Sequence, residues 1–321
     1  MTKDGVFLGI DTSNYTTSVA VICADGELLA NVKYPLKVRE GEVGLRQSDA
    51  VFAHTKNLPL ALDDVRDILA DKKLLAVGVS EKPRKVEGSY MPCFLSGVAA
   101  ATAVSVSTGA PIYKFSHQCG HLMAAIYSSG RFDLLDKNFA AFHVSGGTTE
   151  LLRITPEGDG FSAEHIGGTR DLNAGQVIDR AGVMMGLPFP AGRHIELFAL
   201  ENNKKIPKRK VSVDNLWLNL SGVENIASKL YRDTSDKALT SAFVLEYVGN
   251  ALYALSEEYE RLYGKSEFLF SGGVMSNSII RKKLEAGFDA SFAEPMLSAD
   301  NAVGIAELTR RTFFKTTVFS E

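Results

Sequence analysis

The chain has 321 residues, is 45% hydrophobic and 23% charged, and carries a formal net charge of −3. Its length exceeds one ordinary core, so two domains are expected. The composition is that of a globular protein without an apolar run long enough to span a bilayer. The N-terminus lacks the apolar segment of a secretory signal, which favours a cytoplasmic protein without membrane contact. Cys23, Cys93 and Cys119 lie far apart, so reduced thiols are expected.

The first predicted element is a hairpin over residues 6–22, with a polar turn at 11–17. The same plan recurs in AAFHVSGGTTELLRI, residues 140–154. Backbone N–H groups of its glycine turn, with the hydroxyls of Ser145, Thr148 and Thr149, can donate to phosphate oxygens. A single Gly-Gly turn is more often an ordinary hairpin. Two such units nevertheless indicate a duplicated domain with one phosphate-facing hairpin in each copy.

The other segments alternate between strand and helix patterns, which predicts an α/β fold. A break is expected at Pro59, between two helical stretches. In chain order we predict helices at 48–57 and 60–70, a strand at 74–79, a helix at 96–107, a strand at 112–115, a helix after Ser116, a turn at 166–171, helices at 173–186 and within 221–263, a strand at 267–270, and helices at 278–286 and from 299–301 to about 311.

His117 and His121 stand four residues apart at a helix start, so both rings project from one face. This spacing suits a shared metal ion, and it equally suits capping or surface histidines. His54, His143, His165 and His194 lack such a partner and are interpreted as structural.

A second glycine turn, SGGVMSN at residues 271–277, joins a strand to a helix. It places the backbone amides near Gly272 and Gly273 at a helix N-terminus, where an anion or nucleotide can bind. Near the end of the chain, Asp300 can cap the last helix or ligate a metal.

Five cations in seven residues, at 204–210, form the densest basic segment. The net charge gives no global attraction to nucleic acid, so any RNA contact must use a local patch or a partner subunit. A solvated surface loop is the simpler interpretation. The cations are Lys204, Lys205, Lys208, Arg209 and Lys210.

Six motifs in order give the chain its resemblance to a known family: IDTSNYTTSVAV, HQCGH, VSGGTTEL, GQVIDRAGVMMGLPFPAG, FSGGVMSN and SADNAVGIA. Together they resemble the tRNA threonylcarbamoyladenosine synthase (TsaD-type) family, formerly called glycoproteases, over nearly the whole chain. The resemblance implies the duplicated fold of actin, Hsp70 and sugar kinases, with a nucleotide cleft between two domains. We place the first domain at 1–115 plus 302–321 and the second at 116–301.

The resemblance also implies a site and a reaction. Members of the family transfer a threonylcarbamoyl group from threonylcarbamoyl-adenylate, made by a partner enzyme, to the adenosine beside the anticodon of tRNA. The implied cofactors are an adenine nucleotide or that adenylate, and one divalent metal, for which iron, zinc and manganese all suit the ligands. The implied metal ligands are His117, His121 and Asp300, and the implied substrate contacts are Val144, Ser145, Gly146, Gly147, Asp179, Gly192 and Asn277.

Three positions depart from the family pattern. Tyr15 and Thr16 replace an Asp-Glu pair in the first hairpin, and Thr148 replaces a histidine in the second. These changes favour a divergent paralogue. Two alternatives to tRNA modification therefore stay open: carbamoyl transfer to a small-molecule acceptor, and a non-catalytic nucleotide-binding subunit of a synthase complex.

Overall fold

The computed structural model describes residues 5–13, 15–37, 45–158, 160–297 and 301–318. The chain divides into two compact units, which are described separately. The first comprises Met1–Leu135, Pro156–Ser162 and Met296–Glu321, and the second comprises Asp136–Thr155 and Ala163–Pro295.

The first unit contains a five-stranded mixed sheet with the order β3-β2-β1-β4-β5. Strands β1 to β3 are antiparallel neighbours, and β4 and β5 continue the sheet in parallel. Strand β1 is buried on both faces, as expected for a central strand. The strands are β1 (Gly5–Asp11), β2 (Thr16–Cys23), β3 (Leu28–Pro35), β4 (Lys73–Lys82) and β5 (Ile112–Ser116).

The second unit contains a six-stranded sheet with the order β11-β10-β6-β7-β8-β9. Apart from the short β9, this order matches that of the first sheet, because β6, β7, β8, β10 and β11 take the places of β1 to β5. The predicted duplication of strand–turn–strand units is therefore confirmed. The strands are β6 (Phe139–Val144), β7 (Thr149–Glu157), β8 (Gly160–Thr169), β9 (Trp217–Leu218), β10 (Glu267–Ser271) and β11 (Asp289–Phe292).

Ten α-helices flank these sheets in the described part of the chain. They are α1 (Gln47–Asp63), α2 (Arg66–Asp71), α3 (Phe94–Thr108), α4 (His117–Ser129), α5 (Ala174–Met184), α6 (Gly192–Glu201), α7 (Ser221–Thr234), α8 (Lys237–Tyr263), α9 (Ser278–Glu285) and α10 (Val303–Val318).

The predicted break at Pro59 is wrong. Helix α1 continues through this proline to Asp63, and the chain breaks only before α2. Leu58 and Ala61 lie in the core of the first unit on either side of Pro59. Burial of this face holds the helix together although the proline ring removes one backbone donor.

Helix α4 belongs to the first unit, whereas the sequence-based division assigned it to the second. Its neighbour is α10, and the two helices approach closely at a pair of glycines. A Cβ on Gly304 would overlap the carbonyl oxygen of Gly120, and a Cβ on Gly120 would lie 2.9 Å from Ile305 Cδ1. This contact between small residues ties the histidine-bearing helix to the first sheet through α10.

Helix α8 forms the centre of the second unit's core. By length and composition it is the single described helix that could cross a membrane, but about two thirds of its most apolar stretch is buried within the fold. Phe243, Val248 and Leu255 are each at most 1% exposed and pack in the large cluster beneath the second sheet. Its apolar character is therefore explained by burial in the core.

Strands β8, β9 and β11 and helix α6 were missed by the sequence analysis. Strand β8 covers part of the segment predicted as a turn, helix α6 precedes the basic segment, and β11 follows α9. Strand β8 has polar side chains on much of its length, and α6 begins directly after a proline-rich turn. The local sequence pattern of β8 and α6 was therefore weak, and packing determined their structure.

Asp171 is a remote cap for helix α7, whose own N-cap residue is Leu220. Its carboxylate accepts hydrogen bonds from the backbone N–H groups of Leu220 at 2.8 Å and Ser221 at 3.0 Å. Burial raises the pKa of Asp171, but hydrogen bonds from Ser221, Leu220 and Leu172 outweigh this and hold it below 3.8.

We predict that Asp171→Ala lowers the free energy of unfolding at pH 7 by about 1 kcal/mol, since it removes a helix cap. Because the folded-state pKa is depressed, this stabilisation is present above pH 3.8 and disappears as the pH falls through the folded value. Urea unfolding of both proteins between pH 7 and pH 3 measures the difference. A difference that grows on acidification would contradict this assignment.

Candidate functional site

The second unit contains a cavity of about 590 Å³ that gathers residues from four separate segments. This volume lies in the range of small-molecule sites. Five residues predicted to contact a nucleotide line it, whereas Val144, Ser145, Gly147 and Gly272 are not among its lining residues. The lining consists of Gly146, Gly175, Ile178, Asp179, Pro190, Gly192, Arg193, Glu196, Gly273, Val274, Ser276 and Asn277.

Gly272 and Val144 lie next to this cavity and determine how closely the two turns that line it approach each other. Gly272 has φ +99°, and a Cβ there would overlap the carbonyl oxygen of Val144. Only glycine allows the turn after β10 to pass so close to the end of β6. The first glycine of the SGG sequence thus brings two turns together, and the second, Gly273, faces the cavity.

The hydroxyls of Ser145 and Thr149 hold the turn in shape. Ser145 Oγ accepts a hydrogen bond from Gly147 N at 3.3 Å, and Thr149 Oγ1 accepts from Ala174 N at 2.8 Å. The turn is closed by a bond from Ser145 N to the carbonyl of Thr148. These groups fix the turn against the start of α5, a role that the sequence analysis did not assign to them.

Three cavity glycines leave open space at the backbone. An added Cβ at Gly146, Gly192 or Gly273 would meet no heavy atom within 4 Å. A ligand can therefore approach the main chain at these positions, as phosphate or sugar groups do at glycine turns. Gly175 differs, because a Cβ there would lie 2.6 Å from the carbonyl oxygen of Ser145.

Two anchored carboxylates give the cavity its acceptor character. Asp179 Oδ1 accepts from Ala191 N at 2.8 Å, and Glu196 Oε1 accepts from the N and Oγ of Ser278 at 2.7 and 2.6 Å. An ionised carboxylate has further lone pairs for hydroxyl or amine donors. Such a pair suits the diol of a ribose better than a phosphate.

Asn277 is the N-cap of helix α9. Its Oδ1 accepts from Ile279 N at 3.2 Å and Ile280 N at 3.1 Å, so the side-chain amide nitrogen is the group suited to donate to a ligand. Arg193 and Glu196 also line the cavity, and the sequence analysis missed both. A helix predicted from residue 192 onward would have shown that they share a turn with Gly192.

The predicted histidine pair lies at the start of α4 in the first unit. Ser116 caps this helix, since its side chain accepts from Cys119 N at 3.2 Å. The rings of His117 and His121 are 4.2 Å apart between centroids, which confirms that they share one face. Asp300, the third predicted ligand, lies outside the described residues. Within the described ranges no group of three metal-binding side chains occurs.

Asp11, at the end of β1, contacts His117 and was missed by the sequence analysis. Its Oδ2 lies 3.0 Å from His117 Nδ1 and accepts from Ser13 Oγ at 2.7 Å, and its Oδ1 accepts from Ser80 Oγ. The carboxyl is completely buried. Burial raises the pKa of Asp11, but the interaction with His117 and the hydrogen bonds from Ser80 and Ser13 lower it by more. The pKa of Asp11 therefore lies below its usual value.

The ionised Asp11 orients His117. A carboxylate can only accept, so His117 Nδ1 carries the proton in this contact. In that tautomer Nε2 carries the lone pair that could coordinate a metal ion, and a carboxylate commonly holds a metal-binding imidazole in this way. The two imidazoles therefore fit the metal that the family resemblance implies.

The departures from the family pattern lie in two hairpin turns. Tyr15 is 45% exposed, and its carbonyl accepts from Leu36 N at 2.7 Å. Thr16 begins β2 and pairs with Pro35. Thr148 is half-buried beside the cavity glycine turn. None of these side chains replaces the charge of the acidic pair or the basicity of the histidine.

Two sheets that share one strand order, apart from the short β9, form the fold that is found in actin-like ATPases and sugar kinases. The fold matches component A of (R)-2-hydroxyglutaryl-CoA dehydratase from Acidaminococcus fermentans, with a TM-score of 0.54, 15% identity and coverage of 96% of this chain and 99% of that one. It also matches full-length HypF in its phosphate- and nucleotide-bound form, with a TM-score of 0.56, 12% identity and coverage of 99% and 56%.

The sequence is more specific. Residues 27–307 match the family model for TsaD, tRNA N6-adenosine threonylcarbamoyltransferase. The chain is 32% identical over 322 aligned positions to the tRNA N6-adenosine threonylcarbamoyltransferase of Streptococcus suis strain 05ZYH33, covering 95% of this chain and 92% of the relative. The chain belongs to the TsaD family.

We predict that Gly273→Ala weakens binding of an adenine nucleotide by about tenfold, since the new methyl enters the cavity. The substitution meets no neighbouring atom, so thermal unfolding should change little. Isothermal titration with ADP measures the affinity. Gly222→Ala is the matched control, because its Cβ is equally unobstructed but lies on α7 away from the lining residues. Equal affinities in both variants would exclude this cavity.

Proposed function

We propose that this chain transfers a threonylcarbamoyl group from a nucleotide-activated intermediate to the adenosine next to the anticodon of tRNA. The observation that carries the proposal is the cavity in the second unit, in a chain that belongs to the TsaD family. Gly146, Asp179, Gly192, Gly273 and Asn277 are distant in sequence and line this one cavity.

The charges and donors of the cavity support a nucleoside with a phosphate attached. Asp179 and Glu196 accept hydrogen bonds from a ribose diol. Open backbone at Gly146 and Gly273 accommodates the more bulky phosphoryl and carbonyl groups. The adenylate of threonylcarbamate combines these chemical groups in one molecule.

The reaction joins the exocyclic amine nitrogen of adenosine to the carbamoyl carbon. The bond between that carbon and the phosphate oxygen breaks, AMP leaves with the electron pair, and the amine loses one proton. The neutral amine is a weak nucleophile, so positioning contributes much of the rate. Backbone N–H groups directed at the departing phosphate stabilise the charge that develops.

The metal of the proposal would be held by His117, His121 and Asp300. When bound, it would supply a Lewis acid that polarises an oxygen of the donor. Asp11 holds His117 in the tautomer suited to this role through the 3.0 Å contact. Iron, zinc and manganese all accept two imidazoles and one carboxylate.

Two other functions are alternatives, and the changed turns favour them. Tyr15, Thr16 and Thr148 remove ionisable groups that the family pattern carries. A different acceptor, such as a small molecule receiving a carbamoyl group, would suit a reshaped turn. A nucleotide-binding subunit without catalysis would also tolerate these changes.

We predict that the purified protein contains bound divalent metal and that His117→Ala loses most of it, because one imidazole of the pair is removed. Inductively coupled plasma mass spectrometry of both proteins measures the metal content. His165→Ala is the control, since His165 contacts Trp217 in the second unit. Unchanged metal in His117→Ala would remove the proposed ligand pair.

The transfer reaction itself is tested with threonylcarbamoyl-adenylate, unmodified tRNA and the partner proteins of the modification system. We expect the modified nucleoside in digested tRNA, detected by liquid chromatography and mass spectrometry. The variant Thr148→His restores the imidazole of the family pattern, and we expect it to raise the rate of threonylcarbamoyl transfer. No product from a protein that still binds adenine nucleotide would favour the small-molecule or non-catalytic alternatives.

A further inference from the structure

The basic segment between α6 and the short β9 is exposed and has no helix or strand. Its cations, Lys204, Lys205, Lys208, Arg209 and Lys210, are all exposed. An extended backbone covers at most about 3.5 Å per residue. The seven residues therefore span at most about 25 Å, and four of their cations, Lys204, Lys205, Lys208 and Arg209, line one recess.

Apolar side chains attach this segment to the core. Ile206, Val211 and Val213 pack against the main cluster of the second unit. At the start of the segment, Asn202 closes a turn with Lys204, because Asn202 Nδ2 donates to the carbonyl of Lys204 at 2.8 Å and Lys204 N donates back to Asn202 Oδ1. The backbone is thus held in place while the charged ends point outward.

Most of the positive charge in this segment has no internal counterion. Lys204 pairs with Asp236 at 2.6 Å. The other four cations form no ion pair with any residue in the part of the chain that the structure describes. Clustering four like charges without a counterion is unfavourable by itself, and a bound polyanion would relieve it.

A recess of about 580 Å³ lies directly beside the cations. It is lined by Lys204, Lys205, Ile206, Pro207, Lys208, Arg209, Phe243, Glu246, Tyr247 and Asn250. The acid among these residues, Glu246, accepts from Lys283 at 2.9 Å, which offsets its charge. The recess therefore combines positive charge with the partly exposed ring of Tyr247.

From these observations we infer that the 204–210 segment binds the phosphate backbone of the tRNA, an inference that rests on the proposed function for the identity of the RNA. Four exposed neighbouring cations without an internal counterion suit the successive phosphates of a polynucleotide, because its affinity grows with the number of Lys and Arg contacts. A small anion would neutralise only part of this positive charge, whereas a polynucleotide can contact all of these cations at once. A lipid surface would require an exposed apolar anchor, and the described apolar residues of this segment pack inward.

The decisive experiment compares two fourfold variants of equal charge. The first carries Lys205→Gln, Lys208→Gln, Arg209→Gln and Lys210→Gln. The control carries Lys56→Gln, Lys229→Gln, Arg232→Gln and Lys282→Gln, four exposed cations of the same types on other helices. Binding of unmodified tRNA transcript is measured by fluorescence anisotropy at several salt concentrations, without donor, and ADP binding and thermal unfolding confirm that both variants are folded.

We expect the slope of log affinity against log salt to fall by about 3 in the segment variant, at 0.7 to 0.9 per lost phosphate contact. At about 0.1 M salt the affinity should fall by roughly tenfold or more. The control variant should keep a slope close to that of the unchanged protein. Equal slopes in the two variants, or no tRNA binding by the unchanged protein at low salt, would overturn the inference.

Separate measurements distinguish this inference from the proposed function. If tRNA binding depends on the segment but no modified nucleoside forms, the binding surface stands and the proposed function fails. If product forms and the segment variant has unchanged KM for tRNA, the function stands and the surface is wrong. Segment-dependent binding to phosphatidylserine vesicles without tRNA binding would also overturn the inference and identify a lipid ligand.

Discussion

The close approach of two glycine turns is the constraint on which the cavity of the second unit depends. Gly272, at φ +99°, lets the backbone after β10 pass against the carbonyl of Val144 at the end of β6. A side chain there would separate the two turns. Gly146 and Gly273 then lie on one cavity wall with unobstructed backbone, while the carboxylate of Asp179 is fixed by Ala191 N. The cavity forms because the turns that follow the parallel neighbours β6 and β10 lie in close contact.

A close approach of two backbone segments at glycines also occurs in the first unit. Gly304 and Gly120 allow α10 and α4 to touch, and this contact fixes the helix that carries His117. The buried carboxylate of Asp11 then orients the imidazole from the end of β1. A buried charge is unfavourable without partners, and Asp11 has His117 together with two serine hydroxyls. The position of His117 thus depends on the end of β1, on the packing of α4 against α10 and on the ionised state of Asp11.

Charge is distributed unevenly in a chain whose net charge is only −3. The cavity of the second unit contains anchored carboxylates, which accept from hydroxyl and amine donors. The segment at 204–210 contains cations whose side chains are exposed and mostly without internal partners. One surface thus suits a nucleoside and another suits a polyanion, and the proposed reaction would use both. The net charge of the chain does not reveal that acidic and basic groups lie on separate surfaces.

The sequence by itself determined the duplicated hairpins and the shared face of His117 and His121, because these features depend on local patterns: alternation, glycine turns and helical spacing. The family resemblance added Asp179, Gly192 and Asn277, and in all five of the twelve residues that line the cavity were predicted. Only tertiary structure decided that α1 continues through Pro59, since burial of Leu58 and Ala61 outweighs a lost hydrogen bond. Tertiary structure also brought Asp11 to His117, 106 positions later in the chain. No local pattern encodes such a contact, because it arises from the order of strands in a sheet.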